Sequence, residues 1–195
     1  MQMLIMWLIP AYLMLTGASW FHIDEKNKTS TILASKFGKR KYLLEYLGSV
    51  FISAFLLFFL NLIINYVFSY ILNYGNTYFA SMTSVNEEKG LILWQYMHPM
   101  ITNLIYMCTT SIMISLYAVF MSCLSLYFDK ISFVFLLSFS LWLVLISGQY
   151  SILLTTQPFT EYSIYHQMKI YLACLFVLGI SSYFLYRYRV KKDEI

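Results

Sequence analysis

Five apolar stretches alternate with short polar segments along the chain, and their lengths set the expected architecture. A helix needs about 20 mainly apolar residues to cross about 30 Å of hydrocarbon. The first stretch, 3–20, contains Pro10, which a membrane helix tolerates when neighbouring helices satisfy the freed carbonyl. It has no basic lead and no small-residue cleavage pattern after it, so it reads as a retained span. The second stretch, 42–72, is longer than a bilayer requires, which implies tilt or an interfacial first turn holding Glu45. The third covers 100–128, and Asp129-Lys130 makes a tight turn into the fourth, 131–146, which is short for a crossing. A half-apolar, tyrosine-rich outer or re-entrant stretch with Pro158 occupies 148–167. The fifth span, 168–186, ends in a basic tail. The pattern predicts an all-α, polytopic integral membrane bundle of about five helices, a single domain over 1–195.

Composition narrows the class. The chain is 60% hydrophobic and only 11% charged, with mean hydropathy +0.66, whereas about a quarter of an average soluble protein is charged. No segment between the apolar stretches is long enough for a separate soluble domain. The net charge of +4 does not point to nucleic acid, because the bases gather at span ends rather than along an exposed face. The 22–41 segment, the Lys130 turn and the tail hold eleven of the 13 basic residues, and alternating crossings put all three on one face. That face is expected to be cytoplasmic, with the C-terminus inside and the N-terminus outside; Lys89 and Lys169 fall opposite.

Candidate chemistry is sparse. His22, His98 and His166 are scattered near span ends, and Cys108, Cys123 and Cys174 lie in apolar runs without a C-x-x-C pair, so no metal, disulfide or catalytic set is expected. Glu87-Glu88 resembles the paired glutamates of membrane-embedded prenyl-protein proteases, but the arginine and intramembrane histidines of those enzymes are missing. No span carries a charge at its centre, which argues against a proton-coupled carrier or cation channel. Asn61, Asn65 and Asn103 are expected to hydrogen-bond between helices. Most Tyr and Phe residues are expected in interfacial belts, with the 74–78 and 150–165 clusters on the outer side.

The informative segment is 22–41. Asp24 and Glu25 stand where a helix dipole favours anions, and Thr29 or Ser30 offers a cap. Ile32, Leu33 and Phe37 supply an apolar face, Gly38 is placed to stop the helix, and Lys39-Arg40-Lys41 meet the headgroups. The physical chemistry alone leaves two readings open, a short amphipathic helix with a partner or a solvated basic loop that fixes topology.

This order of elements resembles the permease subunits of type-2 ABC transporters, nearest to small bacterial permeases of peptide or bacteriocin export and immunity. Those proteins carry an acidic–basic pair, a Thr-rich stretch, a coupling helix and a basic turn. Glu25-Lys26, the run from Thr29 to Leu33, and Lys39-Arg40-Lys41 match these in turn. The chain departs in lacking the usual Gly-Thr, in Phe37-Gly38 standing for a proline, and in Glu45 or Tyr46 standing for a lysine. The sequence likeness covers about twenty residues; topology extends it along the chain.

The resemblance implies a permease in the bacterial plasma membrane. Its coupling residues would be Glu25, Lys26, Lys28, Thr29, Ile32, Leu33, Lys36, Phe37, Lys39 and Arg40. The family has six helices, so the first span here would correspond to its second, with a first helix expected upstream. No G-x-x-x-x-G-K-[ST] loop occurs. ATP and Mg would therefore sit on a separate ABC ATPase, with no cofactor in this chain. Further partners would be a second permease chain, identical or not, and the lipid bilayer. The substrate class would be a peptide, a lipid-like molecule or another amphipathic compound. The alternative is a non-transporting immunity or anchoring protein that binds a toxin or partner. An enzyme acting on lipid-linked substrates lacks a convergent polar set.

Overall fold

The structure is a computed structural model that describes residues 6–15, 20, 24, 27, 29–72, 91–128, 130–148, 150–158 and 164–192. Among these it is helical, with no strand. In chain order the elements are α1 (Ile9–Leu13), α2 (Thr29–Phe37), α3 (Lys39–Leu72), α4 (Leu91–Met97), α5 (Pro99–Tyr127), α6 (Ile131–Ile146) and α7 (Ile164–Lys192). A 3-10 turn, Ile152–Thr155, precedes α7.

Among the described residues, three helices are long and apolar enough to cross a membrane: α3, α5 and α7. At 1.5 Å per residue the 16-residue α6 reaches only about 24 Å, less than the hydrocarbon thickness. Of the span expected over 3–20, residues 6–15 and 20 are described, and they include α1. Its helical segment has five residues, and Pro10 sits in its first turn, where a missing N–H costs no intrahelical bond. Glu87-Glu88 and the 74–78 tyrosines lie outside the described residues.

α5 is the axis of the bundle. Its buried positions include Ser111, Ser115, Ala118, Ser122 and Ser125, which share one face at helical spacing. Small side chains there let neighbouring backbones approach closely, the usual basis of packing where lipid removes the hydrophobic drive. Each hydroxyl is satisfied within the helix; Ser111 Oγ donates to the Met107 carbonyl at 2.8 Å and Ser122 Oγ to the Ala118 carbonyl at 2.9 Å. α3 packs most closely on α5 and α7 next. The inward stripe of α3 is Leu43, Tyr46, Leu47, Val50, Ala54 and Phe58, at i, i+3, i+4, i+7, i+11 and i+15. The rest of α3 faces outward with exposed Leu, Ile and Phe, as a lipid-facing helix must.

α6 turns Val134, Ser138, Trp142 and Ile146 inward, one residue per turn. Tyr117 of α5 donates its hydroxyl to the Ser138 carbonyl, and its ring lies 4.8 Å from that of Trp142. Trp142 Nε1 donates to the Met6 carbonyl at 2.8 Å, tying the start of the chain to α6. Beyond α6 the chain turns at Gly148, with φ +86°. Ser151 then caps the 3-10 turn, its Oγ accepting from Leu153 N at 3.2 Å and donating to the Ile146 carbonyl at 2.7 Å. Ile152 and Thr155 are buried, so this stretch folds back onto the bundle and packs on α7 and α6.

Candidate functional site

Gly38 joins α2 to α3 with no residue to spare. Its N–H donates to the Ala34 carbonyl at 2.9 Å, closing α2, and its carbonyl accepts from Tyr42 N at 3.0 Å, opening α3. Its φ of +85° is a left-handed conformation that glycine adopts without steric cost. The stop expected at this residue is therefore met by its backbone. The described part of α2 begins at Thr29, with Ser30 buried in its first turn, and the cap expected at Thr29 or Ser30 turns on residues outside those described.

α2 has nine residues, and isolated helices below about 12 residues are marginal. It therefore depends on what it touches. One side packs on α3. Leu33 and Phe37 line a groove of about 390 Å³ with Trp20 and Asp24 and with Tyr42, Tyr46 and neighbours on α3. Tyr42 donates its hydroxyl to Asp24 Oδ2 at 3.4 Å, holding the chain before α2 near the start of α3. Yet Ile32 is 65% exposed and Phe37 48% exposed. The apolar face thus looks out of the protein as much as into it. Lys36 Nζ stands 5.5 Å from the Phe37 ring, and Ser35 Oγ donates to the Ile32 carbonyl at 2.8 Å.

Of the coupling residues expected from sequence, Leu33 and Phe37 meet in the groove, while Ile32 and Lys36 project from it. Lys39 and Arg40 form the exposed first turn of α3. Glu25, Lys26 and Lys28 lie outside the described residues, as does the side chain of Thr29. Glu45 continues α3 as an exposed partner of Lys41 at 3.9 Å, a surface pair that contributes little.

Two further concavities were not foreseen. At the Lys39 end of the bundle, Arg40, Tyr127, Tyr183, Arg187, Tyr188 and Lys191 border a groove of about 950 Å³. The sequence signal was the two basic clusters assigned to one face; their meeting across helices was not visible. At the opposite end, a cavity of about 270 Å³ is lined by Asn65 and Tyr66 of α3, Asn103 and Tyr106 of α5, and Thr156 and Gln157 after the 3-10 turn. Asn103 Nδ2 donates to the Pro99 carbonyl of its own helix at 2.8 Å, where a bond between helices was expected. An interhelical polar link at this end runs through Tyr106. Its hydroxyl donates to Gln167 Oε1 of α7 at 2.6 Å and accepts from Gln95 Nε2 of α4 at 3.3 Å.

Among the described residues no group of three His, Cys, Asp or Glu side chains converges to hold a metal. No family model matches the chain, and no solved structure is similar to it. The chain is 30% identical over 197 residues to the uncharacterized protein YybM of Bacillus subtilis (strain 168), a match covering 98% of this chain and 78% of that protein. At that identity and coverage the two share a common fold and descent, and the chain belongs to the family of YybM.

Proposed function

We propose that this chain is the membrane permease subunit of an ATP-driven ABC exporter in the bacterial plasma membrane, and that α2 is the element through which a separate ATPase moves it. The observation that carries this reading is a short helix with outward Ile32 and Phe37, joined through the single residue Gly38 to the 34-residue α3. A lever this short has little slack. Force applied to α2 passes directly into a helix about 51 Å long at 1.5 Å per residue.

In this mechanism α2 sits in a groove of the ATPase. Ile32, Leu33 and Phe37 supply the buried anchors, and Lys36 and Lys39 lie toward acidic groups at the rim. Closure of two ATPase subunits on ATP and Mg rocks α3 against α5 as a rigid body. The exported molecule, a peptide or other amphipathic compound, passes along the bundle or between two permease chains. The Asn65–Asn103 cavity offers polar contacts on its outer part. No bond is made or broken by this chain.

The test is the double substitution Leu33→Asp/Phe37→Asp in membranes that also hold whichever ABC ATPase is encoded beside the gene, whose presence there is the first requirement of this reading. Co-purification of that ATPase should fall at least tenfold while the permease stays in the membrane. Undiminished co-purification and export would remove the coupling role of α2, whereas full function in cells without any ABC ATPase would leave a non-transporting immunity or anchoring protein as the better account.

A further inference from the structure

The cavity between α3, α5 and the turn after α6 reaches to the depth of the hydrocarbon. Thr110 lines it about 17 Å along α5 from Pro99, at about 1.5 Å per residue. This residue is 2% exposed, yet among the described residues nothing hydrogen-bonds to its hydroxyl. A helical threonine or serine ordinarily returns its hydroxyl to the preceding turn. Its two neighbours do so: Thr109 Oγ1 donates to the Tyr106 carbonyl at 3.1 Å, and Ser111 Oγ to the Met107 carbonyl at 2.8 Å. Thr110 makes no such bond. From α3, the Asn65 carboxamide lines the same space, also with no partner among the described residues. Asn103 donates Nδ2 to its own helix and keeps Oδ1 for another donor. Buried polar groups are nearly always paired, and lipid offers them no water.

These three side chains are neutral, and together they both donate and accept. A peptide bond meets both needs at once, because a carboxamide pairs with it donor to acceptor and acceptor to donor. A chain segment at hydrocarbon depth must also have its N–H and C=O groups satisfied, which an acyl tail does not require. The rest of the wall fits side chains of varied shape: Met6 and Met107 are flexible and polarizable, and the Tyr106 ring is held by its bonds to Gln167 and Gln95. A volume of about 270 Å³ lies just below the range of sites that enclose a whole drug-sized ligand, so the cavity takes part of a longer molecule. Exposed Ser69 and Gln157 among its lining residues open it to the surface.

We propose that this cavity binds an uncharged peptide segment through its backbone amides, with Asn65, Asn103 and Thr110 as the hydrogen-bonding set. The ligand class rests on the reading of this chain as a permease that handles a peptide. The cavity lies at the opposite end of the bundle from α2, so binding here and coupling there are measured apart.

The test uses the full-length protein, purified in detergent without any ATPase, and the photoactivatable capped dipeptide N-acetyl-alanyl-photoleucine methylamide. Illumination should label Met6 or the 103–110 stretch of α5 saturably, as located by mass spectrometry. The unlabelled dipeptide should compete, and its analogue with an ester in place of the central amide should compete about fivefold less well, the effect of one neutral hydrogen bond. Thr110→Val and Asn65→Leu should each lower labelling about fivefold. Thr109→Val, the same change one residue away, should leave it unchanged. Thr110→Val should also keep or raise the unfolding midpoint in dodecyl sulfate, since an apolar group of the same shape replaces a buried hydroxyl that has no partner. Should a variant fail to fold, the amide-to-ester comparison on the wild-type chain carries the same test.

Labelling that does not saturate would overturn the site and leave the cavity to water. Equal competition by the ester, or equal loss in Thr109→Val, would overturn recognition of the amide. Displacement of the probe by monoolein as readily as by the dipeptide would assign the cavity to lipid instead. A lowered midpoint for Thr110→Val would make its hydroxyl a structural group. Absence of labelling in a chain that still captures its ATPase would strike the site alone, whereas saturable labelling in a chain that captures none would keep the site and strike the coupling role.

Discussion

Trp142 has its indole in the core of α6, its ring 4.8 Å from Tyr117 of α5, and its N–H on the Met6 carbonyl. One side chain thereby joins three parts of the chain, and it is 2% exposed. A membrane interior gives little hydrophobic reward for this arrangement, so its value lies in close packing and in satisfying an indole that lipid cannot. Trp142→Phe removes the hydrogen bond, worth about 0.6 kcal/mol on average and up to about 1.7 between membrane helices. It also leaves a void where the larger ring stood. Trp142→Ala should cost about 3 kcal/mol, the lower part of the range for emptying a large aromatic site, because lipid removes most of the transfer contribution. Unfolding in mixed micelles of increasing dodecyl sulfate, followed by circular dichroism, checks the order wild type, Phe, Ala. Equal midpoints for all three would show that Trp142 is not a tie.

At the scale of elements, the α2–Gly38–α3 junction concentrates the most information. Gly38→Ala meets no steric neighbour, since a Cβ built there finds nothing within 4 Å. The φ of +85° alone sets the cost, about 1–2 kcal/mol for an alanine held in the left-handed region. The variant is expected to weaken the break between α2 and α3 and favour one continuous helix. Gly38→Asn should be tolerated better, because asparagine visits that region readily. Under the proposed coupling role, transport per ATP hydrolysed by the partner should fall in the alanine variant and recover in the asparagine one. Gly38 also shows what was legible beforehand: a glycine between Phe37 and a basic run marks a helix stop from sequence alone. The helix that follows begins at Lys39 rather than at Tyr42, because hydropathy registers where lipid begins and not where hydrogen bonding begins. The same reason lengthens α7 at both ends beyond 168–186. Pro10 lies in the first turn of α1, and an apolar run alone does not reveal whether a proline interrupts a helix or starts one. The two unforeseen concavities depend on which helices become neighbours, and spacing within a helix carries no record of that.

For the whole molecule, the question is which way the bundle sits. The starts of α3 and the ends of α5 and α7 meet around one groove, so the basic first turn of α3 and the basic end of α7 share a face in the structure itself. Eleven of 13 basic residues belong to segments at that end by sequence. The opposite end holds the Tyr106–Gln167 link and the Asn65–Asn103 cavity, whose lining among the described residues is polar and apolar without a charged side chain. Because Lys and Arg near span ends resist translocation, the basic end is expected in the cytoplasm. Two single-cysteine reporters test this in a background with Cys108, Cys123 and Cys174 replaced by serine or alanine. Ser35→Cys, exposed on α2, should react with a membrane-impermeant maleimide only after the membrane is opened. Met97→Cys, exposed at the opposite end next to the start of α5, should react in intact cells. The pair matters more than either site, because a reporter that fails to react can simply be shielded. Reversal of both would invert the bundle and put α2 outside, beyond reach of any ATP-driven partner. It would also put the Tyr106–Gln167 link and the Asn65–Asn103 cavity on the cytoplasmic side, so one pair of labels decides which end of the bundle any ATP-driven partner could reach.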